Sequence, residues 1–481
     1  QQPVAHRDGG HDGSSHVPDL QTEVKSINNK YTMNWTKKVV KTMLLAVPLS
    51  LIMTFTACSG NDYLNAIPEE STLLISMNPT KLTGSGSPLI LKSLLHISKL
   101  NDSGLDLSAN VYFFEDAQAN IGVCAKVDDS DKLSDLLKQA HLSLTERRGC
   151  HFAALPSNWV IGFSDKAALL MGPVLPAAQP EMITLMAKYL NADEDDGVKN
   201  SPLYDKLDSI EGPMALVSQA QALPEQLVAP FTIGAPKDCD PSDVIVAASM
   251  EVKGSQLLMK GQTYSLKKGV NDALLKAQKV YRPIKGNYVG AMSKSDVMGM
   301  FLNVNGQQFH ALISQNRGIS AMLAGINAAI DIDNILKSVD GDLTILSPTL
   351  AKGSMSIMMA AKLSNAKWLG DVDYWKQSVP KGGFIGDWGK NCFYYRDNST
   401  SYYFGVTPDL QYMSGSNPDQ ARSSIKVSAH PIDKQLQQQI VGQKLVMIIN
   451  FGALQGSKAE AVTALLKPMF GHVNTIVYTM K

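Results

Sequence analysis

The chain carries no surplus of either charge: 44 lysines and arginines stand against 44 aspartates and glutamates. A nucleic-acid binder needs a basic stripe to displace counterions, so the balance removes the electrostatic case for one. The five cysteines include no C-x-x-C pair, which removes the usual zinc and dithiol redox motifs. Neither a Gly-x-Ser-x-Gly elbow nor His-Glu-x-x-His occurs. What resembles a motif falls short. In Gly383 to Asn391 five residues separate the outer glycines where a phosphate loop has four, and Asn391 stands where Ser or Thr would hold magnesium. Ser265 to Lys268 and Ser364 to Lys367 satisfy Ser-x-x-Lys but lack the Ser-Asp-Asn and Lys-Thr-Gly partners of penicillin-recognising enzymes. The body histidines (His96, His141, His151, His310, His430, His472) are scattered, with no pair at a ligand spacing on one helix. No catalytic residue, metal site or cofactor is therefore expected. A carboxylate pair assembled in space is not visible in a sequence and stays open.

A long spanning run is also missing. The apolar stretch Met43 to Ala57 has about 15 residues, short of the ~20 a membrane helix needs, and Pro48 interrupts it. Behind Lys37, Lys38, Lys41 and a start at Met33, it has the basic, apolar and small-residue regions of a secretory signal. Its end, "FTACSG", resembles a bacterial lipobox, with Phe55 where Leu is usual. Residues 33–57 thus read as a lipoprotein signal peptide and Cys58 as the lipidated residue. The lipid-modified cysteine carries more than one acyl chain, enough for stable anchoring. Residues 1–32 are polar and glycine-rich, with His6, His11 and His16 evenly spaced, and read as a disordered or non-native leader.

With 44% hydrophobic residues the rest has a globular balance. Its periodicity is that of short strands and single helices. Thr72 to Asn78 reads as a strand, Leu89 to Leu100 as a helix, and the runs around 117–120 as a hairpin. Asp129 or Ser130 caps an amphipathic helix, and three strands follow from Cys150. A comparable order recurs later. Tyr288 to Asp296 reads as a strand followed by helix-compatible sequence. A hairpin over 342–363, a helix over 365–375 and strands from Cys392 come after it. Matching Gly162 with Gly405, Gly172 with Gly415 and Cys150 with Cys392 supports an internal duplication.

The expected fold is α+β, with internally duplicated modules of antiparallel sheet and helices packed on one face. The expected divisions are a first module over 58–200, a middle strand-hairpin module over 201–282, a second module over 283–430 and a closing strand-helix-strand over 431–481. The acidic stretch Asn191 to Gly197 reads as a solvated interdomain loop rather than a calcium loop, because Pro202 stands at the twelfth position.

With the lipobox, the segments from Asp62, from Tyr288 and around "LKSVDGDLTILSP" resemble a family of uncharacterised lipoproteins from Bacteroides-type anaerobes. The resemblance implies the cell envelope and the outer membrane, with the side of the membrane undetermined. It implies no site residues.

Two features bear on binding. Cys124 and Cys150 lie in one module and either pair as a disulfide or stay buried thiols. In a chain with only 7% aromatics, Trp368, Trp375, Trp388, Tyr394, Tyr395, Tyr402, Tyr403 and Tyr412 crowd one segment. Strand alternation requires one of Tyr394/Tyr395 and one of Tyr402/Tyr403 to face away from whatever core lies on the other side. That surface suits a glycan or an envelope protein, while ordinary cross-strand pairing explains the same residues. Two functions follow: a lipid-anchored, non-catalytic binding or scaffolding protein, or an envelope hydrolase of glycan or peptide polymer.

Overall fold

The computed structural model describes residues 60–82, 102–156, 158–351, 354–450 and 473–480. Residues 1–57, Cys58, the helix expected over Leu89 to Leu100 and the one expected over 459–470 lie outside them.

The first half runs β1 (Leu73–Met77), β2 (Val111–Glu115), β3 (Ile121–Lys126), α1 (Ser130–Gln139), β4 (Thr145–Arg147) and β5 (Cys150–Leu155). It continues with β6 (Trp159–Phe163), β7 (Ala167–Met171), α2 (Gln179–Leu190), α3 (Pro202–Asp208), β8 (Met214–Gln219), α4 (Glu225–Phe231), β9 (Ile245–Lys253) and β10 (Gln256–Tyr264). Next come α5 (Lys268–Gln278), β11 (Tyr281–Arg282), β12 (Met298–Asn305), α6 (Gly306–Ile313), α7 (Arg317–Asn327) and α8 (Ile332–Lys337). Then follow β13 (Val339–Ala351), β14 (Ser354–Leu363), α9 (Val372–Ser378), β15 (Phe384–Gly389), β16 (Cys392–Arg396), β17 (Ser401–Val406) and β18 (Gln411–Gly415). The last elements are α10 (Pro418–Ser423), α11 (Lys434–Ile440), β19 (Leu445–Ile449) and β20 (Thr475–Met480).

The ladders join these strands in one row, except β11, which pairs with the end of β12. One side reads β4-β5-β6-β7-β3-β2-β1-β8-β9, ending on β10. From β10 the row continues β20-β19-β12-β13-β14-β18-β17-β16-β15. Read outward from β10, the two sides have the same connectivity, strand for strand. The β10–β20 pair is parallel, whereas the others are antiparallel. The mixed α+β layout with a large antiparallel sheet is the one expected.

The strands read as near-continuous apolar runs because much of the sheet is buried on both faces. In β1, Ile75 and Met77 enter one core while Leu74 enters another. The larger core extends through both halves and takes Leu133 and Leu137 from α1, Ile335 from α8 and Trp375 from α9. The structure adds helices on the opposite face: Met182 and Met186 of α2 and Leu203 and Leu207 of α3 in the first half, and Leu436 and Ile440 of α11 in the second. Among the described residues no helix is long and apolar enough to cross a membrane.

Local chemistry sets the boundaries. Asp129 is the cap of α1, accepting from the Lys132 N–H at 3.0 Å. Two expectations in the second half are corrected. Val289–Ala291, expected in a strand, is a 3-10 turn, and the strand is β12, over sequence read as helix-compatible. Every residue of β12 except Asn305 is buried, so tertiary packing decided between two periods that a short apolar run cannot separate. The matched residues also shift. Gly162 pairs with Phe152 and Leu169, whereas Gly405 pairs with Cys392 and Met413. Cys150 and Cys392 therefore do not hold equivalent places, and Met171, not Gly172, holds the place of Gly415. The β17–β18 turn has one residue more than its counterpart.

The proposed Cys124–Cys150 pair is not formed: both are free, buried thiols. In the row β3-β7-β6-β5 they stand three strand spacings apart, roughly 14 Å, against the ~7 Å that a disulfide bridges between Cα atoms. Each sulfur has its own contact, Cys124 with the Tyr63 carbonyl at 3.5 Å and Cys150 with the Asn191 amide at 3.3 Å.

One carboxylate links stability to pH. The Ser108 hydroxyl and then the Lys126 ammonium pull Asp106 down to about 2, with bonds of 2.6 and 2.9 Å. Because the folded pKa is depressed, the contribution is present above about pH 4 and lost as pH falls toward 2. Screened by solvent, it amounts to about 1 kcal/mol. Urea unfolding at several pH values is expected to show that slope in the native chain and a flatter one in Asp106→Asn.

Candidate functional site

Alternation along β15–β18 divides the aromatic segment between two faces. The Phe393–Phe404 and Tyr395–Tyr402 pairs lie on one, and the Tyr394–Tyr403 pair on the other. On the first face Trp368 and Trp375 stack at 6.2 Å and 8°, Phe404 leans on both, and Tyr412 meets Trp368 edge-on. The hydroxyls of Tyr402 and Tyr412 share a 2.7 Å hydrogen bond, and burial pushes both phenols up. Tyr395 donates to Asp397 at 2.7 Å, and that bond, with burial, pushes it up to about 12. These residues form the core under α9. Trp368 is 1% exposed and Tyr412 0%, so neither reaches a ligand. The expectation that all eight aromatics form a surface is corrected here: Trp368, Trp375, Tyr395, Tyr402 and Tyr412 face inward, and Trp388, Tyr394 and Tyr403 face outward.

The outer face is a strip. Tyr403 is its buried base, and Tyr394 stacks on it at 5.2 Å and 21°. Phe384 leans on Tyr394 at 5.9 Å and is 59% exposed, and Trp388 meets Tyr403 edge-on at 6.0 Å. The rings are fixed from below. A Cβ at Gly386 would come within 2.7 Å of the Tyr394 ring, so glycine is what lets that ring lie down on β15. The Trp388 indole N–H donates to the Phe393 carbonyl at 2.7 Å. Two guanidinium groups border the strip. Arg396 lies over Tyr394 at 5.5 Å and donates to the Tyr403 hydroxyl at 2.7 Å, while Arg422 of α10 lies over Trp388 at 4.7 Å.

By register, Ala154 and Val160 hold the places of Tyr394 and Tyr403 in the first half. There the twelve-residue α2 lies over the strands, and Met186 reaches the Gly162–Phe152 contact. In the second half the corresponding helix, α10, has six residues and lies against the β17–β18 end, where a Cβ at Gly415 would strike Gln420. Val160 is buried in the core that α2 joins, whereas Ala154 and all of β4 are exposed; what sets the second half apart is that aromatics and arginines stand where the first half has small or aliphatic residues.

Phe384, Arg396 and Arg422 are absent from the sequence reading. Arg396 is two residues beyond Tyr394 and therefore on its face, which alternation alone could have flagged. Phe384 was obscured because its segment read as a glycine-rich connection rather than the edge strand β15. Arg422 comes from a separate helix and leaves no local signal.

The arrangement stacks rings and presents guanidinium donors; it holds no acid–base pair. Among the described residues no serine or cysteine side chain bonds a histidine ring, and no group of three or more His, Cys, Asp or Glu could hold a metal ion.

No curated protein matches the chain. Among solved structures, crystal form IV of TP0453 is similar at 8% identity and a TM-score of 0.26, covering 42% of this chain and 79% of that one. Crystal form I of TP0453 is similar at 8% identity and 0.24, covering 76% and 96%. At TM-scores this low the likeness is no guide to function. The model of the domain of unknown function DUF4836 matches residues 91–439, and the chain belongs to that family.

Proposed function

We propose that the protein is a Bacteroides-type cell-envelope lipoprotein, anchored in the outer membrane through lipid on Cys58, whose folded body is a non-catalytic binding module. The observation that carries the binding role is the strip itself: Phe384, Trp388 and Tyr394 pack around the buried Tyr403 ring, with Arg396 and Arg422 at its border. Rigid, half-buried Tyr and Trp supply contact area at little cost in side-chain entropy, and such residues dominate binding energy at interfaces. The alternative, a hydrolase of envelope polymer, needs converging acids or an activated nucleophile, which Phe384, Trp388, Tyr394, Tyr403, Arg396 and Arg422 do not supply.

The anchor has its own test. Labelled palmitate is expected on the native chain and not on Cys58→Ser, which moves from the membrane pellet to the soluble fraction. An unlabelled native chain, or unaltered fractionation of Cys58→Ser, removes the anchor. The open face is tested by photo-cross-linking from position 384 in intact cells, with exposed Tyr374 of α9 as the control position.

A further inference from the structure

We infer that the open strip binds an acidic polysaccharide, one bearing carboxylate or sulfate groups; this rests on the reading of the strip as a binding face. Three observations converge on that chemistry.

The rings come first. Tyr394 lies flat on Gly386, Trp388 is tied to a backbone carbonyl, and Tyr403 holds both from beneath. A pyranose presents a face of C–H groups, and a π surface held in place before binding meets it without a cost for ordering side chains.

The charge comes second. Arg396 and Arg422 are both exposed and lie against the same rings. The Arg396 guanidinium spends one donor on Tyr403 and keeps others, and a guanidinium fork matches a carboxylate or sulfate at two points. Nearby carboxylates do not cancel this. Asp397 is held by Tyr395, Ser399 and Thr400, and Asp419 meets Arg422 only at 3.7 Å in an exposed pair. Arg396 pairs with Phe384 at one end of the β15–β16 ladder, while Arg422 lies over Trp388, next to the Gly389–Cys392 pair at the other; Cys392 and Arg396 are four residues apart on β16, roughly 13 Å. The charges therefore border the strip lengthwise, as a chain with repeated acidic groups requires.

The size comes third. A stable protein interface buries about 800 Å² on each partner around an apolar centre. Here Phe384 is the one strip aromatic that is more exposed than buried, so the patch suits a narrow chain better than a broad protein face.

The test uses the full-length lipidated protein in detergent, with affinity electrophoresis in gels containing sodium polygalacturonate, chondroitin sulfate, dextran or poly-L-glutamate. Polygalacturonate or chondroitin sulfate is expected to retard the protein in a salt-sensitive way, and dextran and poly-L-glutamate to bind at least about tenfold more weakly. Tyr394→Ala and the pair Arg396→Gln with Arg422→Gln are each expected to weaken binding about tenfold or more, with unchanged circular dichroism and melting lowered by only a few degrees. Lysine in place of both arginines is expected to recover only part of it, because an ammonium lacks the planar fork.

Dextran bound as tightly as the acidic chains overturns the acidic specificity. Poly-L-glutamate bound as tightly overturns sugar recognition. Acidic-chain binding untouched by the variants overturns the site. If no glycan binds while a cross-linker at 384 captures a protein, this inference fails and the binding role stands. If neither occurs, both fail.

Discussion

Trp368→Ala is expected to cost about 3–5 kcal/mol of stability, among the largest effects of any substitution in the aromatic segment. Trp368 is 1% exposed, stacks on Trp375, and touches Phe404 and Tyr412, so truncation opens a cavity that three packed rings cannot fill. Its indole N–H has no hydrogen-bond partner, so Trp368→Phe leaves no orphaned acceptor and is expected to cost only about 1–2 kcal/mol, for volume alone. Tyr394→Ala, on the outer face, is expected to cost less than about 1.5 kcal/mol, because that ring is only half-buried and its loss leaves space open to solvent. Urea unfolding of the three variants checks the order. Equal losses from Trp368→Ala and Tyr394→Ala would mean that the two faces are not core and surface.

Asp342→Ala is expected to be as damaging for a different reason. The carboxylate is 2% exposed and accepts from the backbone N–H groups of Lys285, Gly286 and Asn287 at 2.9, 2.7 and 2.9 Å, and from the Asn303 amide at 3.0 Å. It thus fixes the segment between β11 and β12 to the start of β13. Removing it leaves four donors without an acceptor, several of them buried, at about 1–3 kcal/mol for each that water cannot reach. A loss of about 3–5 kcal/mol follows, measurable as a lower urea midpoint. Asp342→Asn is expected to lose somewhat less, since it keeps one acceptor oxygen. A neutral Asp342→Ala would contradict this account of the segment.

The legibility of the fold follows the distance over which its causes act. The hairpin at 116–120 was readable because its strands and turn are adjacent, and Asp116 accepts from the Gln118 and Asn120 N–H groups within that turn. The α1 cap was readable for the same reason. β12 was not, because an apolar run buried on both faces loses the alternation that identifies a strand. β15 was hidden by Gly383, Gly386 and Gly389, residues that usually break strands; here Gly386 makes room for Tyr394. Alternation foretold that Tyr394 and Tyr403 would part from their neighbours. Which face would carry the exposed rings depended on α9 packing Trp375 into the core on the other one, a contact between separate elements that no local pattern shows. Free Cys124 and Cys150 followed from strand order, which spacing along the chain does not reveal.

Photo-cross-linking in intact cells from a benzophenone side chain at position 384 asks most directly whether the open strip is a binding face. Phe384 is 59% exposed at the edge of the strip, and Tyr374 is 69% exposed on α9, on the other side of the sheet. The account predicts a light-dependent adduct of higher mass from 384 that disappears with Tyr394→Ala, and none from 374. Adducts of equal yield from both positions, or none from 384, would contradict it.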